Sequence, residues 1–318
     1  MKRIVVLGGT GFFGSLIVER LRAAGLEPLV ASRSSELRID ANNPDDLRAQ
    51  LRQRDLVIDA AGPFQHRTPA LIDAAAKMGF DVVDINDTAD YATLVQQREA
   101  PIAAAGIRVL TACSSLSTVS AAVLAVSSVV QPRRITAYLR PASRRTANAG
   151  SVDSFLHSMI GKRRLIRFGE PLGVRRGVTA RSADSVTLPR LFSSLRETEL
   201  VVDAGIPGAN FVLARPELRR LVERFRSQLA KIARKIGPKS GILAYEIAST
   251  GGGSKHQFFT GEKAHLTAVL PAVMAAISIA AGRFPHRGLV PPTQHVNASD
   301  LFESMWKEGI AVVPPWGT

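Results

Sequence analysis

The chain has very little cysteine and no apolar run of membrane-spanning length. Its single cysteine, Cys113, cannot form a disulfide within the chain, and this predicts a reducing, cytoplasmic setting. One stretch, "LTAVLPAVMAAISIAAG" at 266–282, is rich in alanine, contains Pro271 and stops short of the ~20 residues of a membrane-spanning helix, so we expect a buried helix. Early glycines interrupt the first apolar run, which argues against a secretory signal peptide.

Several catalytic combinations are also missing. None of the three tyrosines, Tyr91, Tyr138 and Tyr245, is followed by lysine four positions later. This excludes the Tyr-x-x-x-Lys pair that the commonest short-chain dehydrogenases use. No group of His, Cys and Asp residues has metal-ligand spacing, so no metal is expected, and no Cys/His or Ser/His/Asp arrangement indicates a nucleophile.

Acidic residues are scarce in the second part of the chain. Residues 1–118 carry 13 Lys and Arg against 14 Asp and Glu, whereas residues 119–318 carry 28 against 13. The net charge of +14 therefore belongs to the second part, which either contacts something anionic or has solvated basic faces built from an arginine-rich composition. Both interpretations stay open.

What the chain does have is an alternation of strand and helix patterns over its first 118 residues. Six apolar segments read as strands separated by helices, which predicts an α/β fold with a doubly wound parallel Rossmann sheet. The predicted strands are 3–7, 28–32, 37–40, 56–62, 81–85 and 107–113.

The pattern changes after residue 118. We expect a Rossmann domain over 1–118, a basic mixed α/β domain for substrate binding or dimerisation over 119–290, and a segment 291–318 that returns to the first domain. Residues 216–237 predict one amphipathic helix, and its apolar stripe is expected to pack on its own domain.

The glycine-rich turn "GGTGFFG" at 8–14 satisfies G-x-G-x-x-G directly after a buried strand and at the start of a helix, and this context makes the motif specific. Gly9 would permit the tight turn, Gly11 the approach of a pyrophosphate, and Gly14 close packing of helix on strand. The free N–H groups of the helix start would face the anion. The residues predicted to contact the dinucleotide here are Gly8, Gly9, Thr10, Gly11, Phe12, Phe13 and Gly14.

The end of the second strand indicates which dinucleotide binds. A site that prefers NAD usually has Asp or Glu there, whereas this chain has Ser32, Arg33 and Ser34. An arginine among hydroxyls suits the 2′-phosphate of NADP(H), which is therefore the predicted cofactor. Asp40 either faces the adenine pocket or caps the turn that follows it.

Four longer segments resemble the saccharopine dehydrogenase-like oxidoreductase family. They are "DLVIDAAGPFQ", "LIDAAAKMGFDVVDINDTADY", "TGEKAHLTAVLPAVMAAISIAAG" and "GLVPPTQHVNASDLFESMWKEGI", in an order similar to that family's. The resemblance covers most of 1–120 and about 241–312; the chain departs from it after the sixth strand, where "CSSLSTVS" replaces a turn with glycine and proline. It implies an NAD(P)-binding Rossmann domain, a second mixed α/β domain that often mediates dimers, and hydride transfer to a carbonyl, imine or enoyl group.

The loops at the ends of the fourth to sixth strands supply the remaining candidates. The loop Ala61, Gly62, Pro63 and Phe64 would run beside the nicotinamide ribose, with Pro63 a candidate for a cis peptide bond. The candidate catalytic residues are His66, Asp87 and Cys113. Each has a structural alternative. His66 would be an exposed loop histidine, and Cys113 a small buried strand residue. Of Asp84 and Asp87, one would bind the ribose or orient the substrate and the other would cap the next helix. Lys255 and His256 are weaker candidates.

Two functions follow from these observations. The first is an NADP(H)-dependent oxidoreductase, a homodimer by resemblance, whose substrate is anionic and either a small molecule or held on a carrier. The second is a non-catalytic NADP(H)-binding regulator. Nucleic acid is a weaker partner because the basic stretches lack interleaved aromatic residues, and a membrane surface ranks below substrate binding.

Overall fold

The computed structural model describes residues 2–314. In chain order the strands are β1 (Ile4–Leu7), β2 (Leu29–Ala31), β3 (Leu56–Asp59), β4 (Asp81–Asp84), β5 (Arg108–Leu110), β6 (Pro132–Arg140), β7 (Met159–Arg167), β8 (Val174–Ala180), β9 (Glu197–Val202), β10 (Gly241–Ser249), β11 (Ser254–Gly261), β12 (Gly288–Leu289) and β13 (Ala311–Val313).

The helices fall between these strands. They are α1 (Phe12–Ala23), α2 (Pro44–Gln50), α3 (Ala70–Met78), α4 (Ala89–Gln96), α5 (Glu99–Ala105), α6 (Thr118–Val126), α7 (Ser143–Thr146), α8 (Ala149–Ser158), α9 (Asp184–Thr187), α10 (Ala209–Leu213), α11 (Pro216–Glu223), α12 (Arg226–Ile236), α13 (Leu270–Ala280) and α14 (Ala298–Lys307), with 3-10 turns at Phe64–His66, Ala264–Ala268 and Pro292–Gln294.

The chain divides into two compact units. The first comprises residues up to 119 and 267–297, and the second comprises 120–266 and the described residues from 298. The first unit contains a six-stranded sheet in the order β12-β5-β4-β3-β1-β2, in which every pair is parallel. All residues of β1, β3 and β4 are buried, as strands covered on both faces must be. The predicted doubly wound α/β fold is confirmed.

Residues 37–40 do not form the predicted strand. Leu37 makes a single bridge to Ala31, and its carbonyl accepts hydrogen bonds from the Ser32 N–H at 3.2 Å and the Ser35 hydroxyl at 2.9 Å. This hydroxyl-rich turn satisfies the carbonyl that a longer ladder would have used. The sixth strand of the sheet is β12, which pairs with β5.

The predicted domain boundaries need correction at the C-terminal side. Segment 267–297, most of which had been assigned to the second domain, belongs to the first unit, where α13 packs on α1, β3 and β4. From residue 298 the described chain belongs to the second unit, because α14 packs on β13 and β13 extends the sheet beside β11. The segment that returns to the first unit therefore begins earlier than 291 and ends at 297.

The second unit is built on a seven-stranded sheet in the order β13-β11-β10-β6-β9-β8-β7. The β6 and β9 strands pair in parallel and the other neighbours are antiparallel, so the predicted mixed α/β domain is confirmed. Its core cluster contains Tyr138, Ile166, Phe168, Leu172, Val201, Ile242, Ala244 and Phe258.

Two predicted helices differ from the structure. The run at 89–105 is split into α4 and α5, and Pro101 in the first turn of α5 has no N–H to continue a helix from Gln97. The amphipathic run at 216–237 is split into α11 and α12, and much of its apolar stripe is exposed rather than packed on its own unit.

The apolar stretch at 266–282 forms α13, which is mostly buried, as expected. Within residues 2–314 we find no helix that combines the length and the apolar character needed to cross a bilayer.

Candidate functional site

Five parallel strands of the first unit end side by side at one edge of the sheet. In sheet order their last residues are Leu110, Asp84, Asp59, Leu7 and Ala31. Open parallel sheets bind ligands outside this carboxyl edge, where the strand order reverses. The order reverses here between β1 and β3, and the glycine turn follows β1.

The glycine turn is shaped by close contacts between backbone segments. Gly8 has a φ of 72°, and a Cβ there would lie 2.7 Å from the Ala60 carbonyl oxygen. A Cβ at Gly14 would collide with the Gly8 carbonyl, which confirms that Gly14 allows the helix to approach the strand. Gly8 is the residue of the turn with a left-handed φ, and a Cβ on Gly9 would lie 3.1 Å from the Val6 carbonyl oxygen.

The start of α1 offers an open cradle for an anion. Gly11 is the N-terminal cap, the first turn of α1 contains no acidic residue, and Thr10 and Gly11 are exposed. A Cβ on Gly11 would meet one protein atom within 4 Å, the Gly8 carbonyl oxygen at 3.1 Å, so protein does not fill the space in front of the helix. The residues present therefore fit a dinucleotide pyrophosphate.

The loop after β2 has its own hydrogen bonds and presents Arg33. The Ser32 hydroxyl accepts the N–H groups of Ser34 at 3.2 Å and Ser35 at 3.0 Å, and Arg33 and Ser34 are exposed. Asp40 is exposed, and its Oδ1 accepts the Asn42 N–H at 2.9 Å. Of the two predicted roles for Asp40, the structure shows the turn cap.

A buried ion pair ties the loop after β3 to the end of that strand. The Arg67 guanidinium lies 2.7 Å from the Asp59 carboxylate, and both side chains are almost fully buried. Arg67 also donates to the Ala61 carbonyl at 2.9 Å and stacks over the rings of Phe64 and Tyr91. The Gly62–Pro63 peptide between these anchors is cis, as predicted.

Asp84, at the end of β4, is the Cα partner of Asp59 in the sheet. Its Oδ1 accepts N–H groups from Ala112 at 2.8 Å and Asn86 at 3.0 Å, while Oδ2 is buried with no hydrogen-bond partner within residues 2–314. Burial raises the pKa of Asp84 to about 7; the N–H donors and the Thr111 hydroxyl oppose this rise, and the Asp59 charge adds to it.

The loop after β5 is strained and held by a buried histidine. Ala112 has a φ of 54°, a conformation that residues other than glycine seldom adopt. The Thr118 hydroxyl and His295 Nδ1 are 2.7 Å apart, and His295 Nε2 lies 3.0 Å from the Val290 carbonyl. Because a carbonyl only accepts, Nε2 carries the proton and Nδ1 accepts from Thr118. Burial lowers the pKa of His295 to about 4, so the ring is neutral at pH 7.

The three predicted catalytic residues lie in different environments. Cys113 is completely buried, and burial raises the pKa of its thiol, so it is protonated at neutral pH. His66 and Asp87 are exposed, and Asn86 rather than Asp87 bonds to Thr88 at the start of α4. The structure does not join the three into one cluster, and their catalytic roles remain predictions.

The weaker candidates lie in the second unit. His256 contacts Phe168 and lies 3.9 Å from Glu246, and Lys255 is exposed. Within residues 2–314, no group of three or more His, Cys, Asp or Glu side chains could hold a metal ion.

Sequence reasoning missed Asp59, Arg67 and His295. Asp59 was visible as the one charged residue of the apolar run "LVIDAAG", which is a signal that a buried charge needs a partner. Nothing in the sequence identified Arg67 as that partner or placed His295 beside Thr118, because both contacts depend on the tertiary fold.

The fold and the glycine turn define a nucleotide-binding Rossmann protein. Residues 26–137 match the model of the saccharopine dehydrogenase NADP binding domain, which confirms the resemblance read from the sequence. No curated protein matches the chain.

Solved structures are similar to this chain at low sequence identity. Apo saccharopine dehydrogenase (L-Glu forming) from Saccharomyces cerevisiae matches with a TM-score of 0.60 and 12% identity, over 98% of this chain and 99% of that one. A mutant meso-dapdh from Clostridium tetani E88 matches with a TM-score of 0.46 and 12% identity, over 97% and 99%. Dihydrodipicolinate reductase from Paenisporosarcina sp. TG-14 gives 0.39 and 12%, over 91% and 97%. At this identity the yeast match shows the fold alone.

Proposed function

We propose that this protein is an NADP(H)-dependent oxidoreductase that acts on an anionic carbonyl, imine or enoyl compound. The observation that carries the proposal is the glycine turn at 8–14, which is open to an anion and precedes the residues 26–137 that match the NADP-binding model. The first unit would bind the dinucleotide along the carboxyl edge of its sheet. The cofactor, when bound, supplies or accepts the hydride.

The residues that would hold the cofactor follow the order of the strands. The N–H groups at the start of α1 would bind the pyrophosphate, and Arg33 after β2 would bind the 2′-phosphate. The loop Ala61–Phe64, fixed by Asp59 and Arg67, would support the nicotinamide ribose. Ser32, Arg33 and Ser34 directly follow β2, and the nearest carboxylate after them is Glu36; an arginine among hydroxyls at this position favours NADP(H) over NAD(H).

A hydride transfer to a carbonyl, imine or enoyl group also needs a proton. His66 and Asp87 are the candidates from this unit with exposed side chains, whereas the buried thiol of Cys113 is a poor proton donor. Asp84, whose Oδ1 accepts the N–H groups of Ala112 and Asn86, and the neutral His295 hold the loops after β4 and β5, so we assign them positioning roles.

The charge of the second unit supports an anionic substrate. The basic clusters at Arg133–Arg145 and Lys162–Arg176 expose cations such as Arg133 and Arg176, although Arg164 has Glu199 3.1 Å away. Changing Arg133 and Arg176 to Gln should raise KM for an anionic substrate and leave NADPH binding unchanged. An unchanged kcat/KM would contradict the substrate class without affecting the cofactor assignment.

The first test is calorimetric titration of the protein with NADPH, NADP, NADH and NAD. We expect micromolar binding of NADPH, weaker binding of NADH, and at least about tenfold weaker NADPH binding in Arg33→Ala, because a charge-assisted hydrogen bond is lost. Arg38→Ala, which removes an exposed arginine five positions on, is the matched control and should bind normally.

Binding of none of the four nucleotides would overturn the proposal. Equal losses in Arg33→Ala and Arg38→Ala would remove Arg33 from the cofactor site. Consumption of NADPH with carboxylate-bearing ketones, imines or enoyl compounds then separates an enzyme from a regulator that only binds the nucleotide.

A further inference from the structure

Helices α11 and α12 expose their largest apolar side chains instead of burying them. The two helices contact α7, α8 and α10 of their own unit, and the buried residues of α12 are Ala230 and Ala233. The alanine side of α12 thus faces the protein. The apolar side chains that are more than half exposed are Leu221 (61%), Phe225 (51%), Ile232 (51%) and Ile236 (52%).

An exposed cation directly precedes each of these four apolar residues. The cations are Arg220, Arg224, Lys231 and Lys235. Both sets repeat at spacings of four, seven and four. Within α12 the spacing of four places Ile232 beside Ile236, and Lys231 beside Lys235, at 3.6 residues per turn. Within residues 2–314 none of the four cations forms an ion pair.

Other arginines of the same helices do have partners. Arg226 lies 3.8 Å from Asp153, Arg234 donates to the Ala147 carbonyl at 2.7 Å, and Arg219 donates to the Leu213 carbonyl at 2.9 Å. These three fasten the helices to the second unit. The cations beside the apolar stripe contribute nothing visible to this attachment, so their positions need another explanation.

The same surface continues onto the edge of the sheet. Ile160 and Leu165 of the edge strand β7 are about half exposed, and Phe211 of α10 is also exposed beneath the guanidinium of Arg215. A Cβ on Gly161 of β7 would lie 3.1 Å from the Ala214 carbonyl, so this strand runs close to the segment that leads into α11. Further exposed apolar side chains therefore lie close to the start of α11.

We propose that helices α11 and α12, the basic amphipathic surface, bind the headgroup region of an anionic lipid bilayer. Residues 215–239 contain nine Lys and Arg against two Glu, so the occupant must be anionic. It must also accept hydrocarbon, because Phe225 and two isoleucines project beside the cations. An anionic bilayer offers both, since its headgroups attract cations and its acyl boundary receives apolar side chains.

A second copy of the chain fits this surface less well. Two copies that met face to face would bring eight unpaired cations, four from each, into one apolar interface, which costs electrostatic free energy. The proposal goes beyond the oxidoreductase function and does not depend on it.

Flotation of the full chain with lipid vesicles tests this proposal. Vesicles of phosphatidylcholine containing phosphatidylglycerol should carry the protein upward, and vesicles of phosphatidylcholine alone should not. High salt should weaken the binding, because it screens the cations. Phe225→Ser with Ile232→Ser should abolish flotation, and Lys231→Glu with Lys235→Glu should weaken binding at least about tenfold.

Matched control variants test whether vesicle binding is specific to the basic amphipathic surface. Trp306→Ser removes an equally exposed aromatic residue of α14, and Arg22→Glu with Lys77→Glu makes the same change of charge in the first unit; both should float normally. Circular dichroism of each variant verifies that it is folded. Failure of the unaltered chain to float with phosphatidylglycerol overturns the proposal, as do equal losses in the controls. A dimer in light scattering that dissociates in the Phe225/Ile232 variant would assign the surface to a second copy.

Discussion

Asp84 and His295 are both buried, and burial moves their pKa values in opposite directions. The pKa of Asp84 is raised to about 7, so its stabilising contribution is complete below pH 4 and is lost as the pH rises to 7. The pKa of His295 is lowered to about 4, so its contribution is present above pH 6.5 and is lost as the pH falls to 4. Between these limits the two effects on the free energy of unfolding oppose each other.

Replacing Asp84 by Asn should remove its contribution to the pH dependence of the free energy of unfolding. The amide oxygen can still accept the N–H groups of Ala112 and Asn86, but the side chain no longer titrates. From pH 4 to pH 7 the free energy of unfolding of Asp84→Asn should rise relative to the unaltered protein by about 4 kcal/mol. Urea denaturation at a series of pH values measures the difference. Asp90→Asn, on the exposed side of α4, is the control; a pH-independent difference for Asp84→Asn would refute the argument.

At the scale of single residues, the sequence identifies candidate site residues more readily than the side chains that they contact in the fold. The glycines of the turn and Arg33 could be predicted as cofactor ligands because that prediction depends on local spacing alone. The pairing of Asp59 with Arg67, and of Thr118 with His295, depends on side chains brought together by folding. For the same reason Cys113 was a candidate by its position after a strand, although its burial became visible only in three dimensions.

At the scale of elements, helix α1 shows how a sequence motif is enforced by packing. Gly14 must lack a Cβ because the Gly8 carbonyl occupies that space, whereas Gly25, just beyond the end of the same helix, has no neighbour within 4 Å of its Cβ position. The sequence predicts both the glycine motif and the end of the helix at Gly25. A substitution at Gly14 should nevertheless lower the stability more than one at Gly25.

Gly14→Ala should therefore separate α1 from β1 and abolish NADPH binding. The overpacking should lower the free energy of unfolding by about 3 kcal/mol. Gly25→Ala should cost about 1–2 kcal/mol, because its φ of 76° disfavours alanine, and should bind NADPH normally. Thermal unfolding and calorimetric titration distinguish the two. If Gly14→Ala bound NADPH with unchanged affinity, close packing at this turn would not be required.

Other elements were predicted less well, for identifiable reasons. The apolar residues of "LRID" suggested a strand, but the hydroxyls of the preceding serines bond the backbone of this segment and end the ladder at Leu37. The stripe of α11 and α12 was expected to be buried, because apolar periodicity usually marks the core side of a helix. In the structure, Ala230 and Ala233 occupy the core side of α12 instead.

At the scale of the whole molecule, the first unit is assembled from two distant parts of the chain. Its sheet is completed by β12, and Ser115 and Thr267 place their hydroxyls 2.8 Å apart near the point where the second part enters. The chain leaves this unit after residue 119, close to the charge and pattern shift at 118, and no compositional change marks its return at 267 or its second exit at 297.

A polypeptide of residues 1–119 alone should therefore fail to bind NADPH, whereas 1–119 joined to 267–297 through a short Gly/Ser linker should bind it. The joined chain regains β12, α13 and the contact of His295 with Thr118. Joining 1–119 to a scrambled 267–297 provides the control. Calorimetric titration and circular dichroism measure the result; full binding by 1–119 alone would show that the returning segment is dispensable.

The return of residues 267–297 also sets the order of events during synthesis. When residue 119 has left the ribosome, the sheet of the first unit still lacks β12 and the loop after β5 still lacks His295. At about 5–20 residues per second, synthesis of the intervening chain leaves β5 an open edge for roughly ten to forty seconds. Throughout that interval the nascent chain presents an unfinished Rossmann sheet, and residues 120–266 of the second unit are synthesised before the first unit can close.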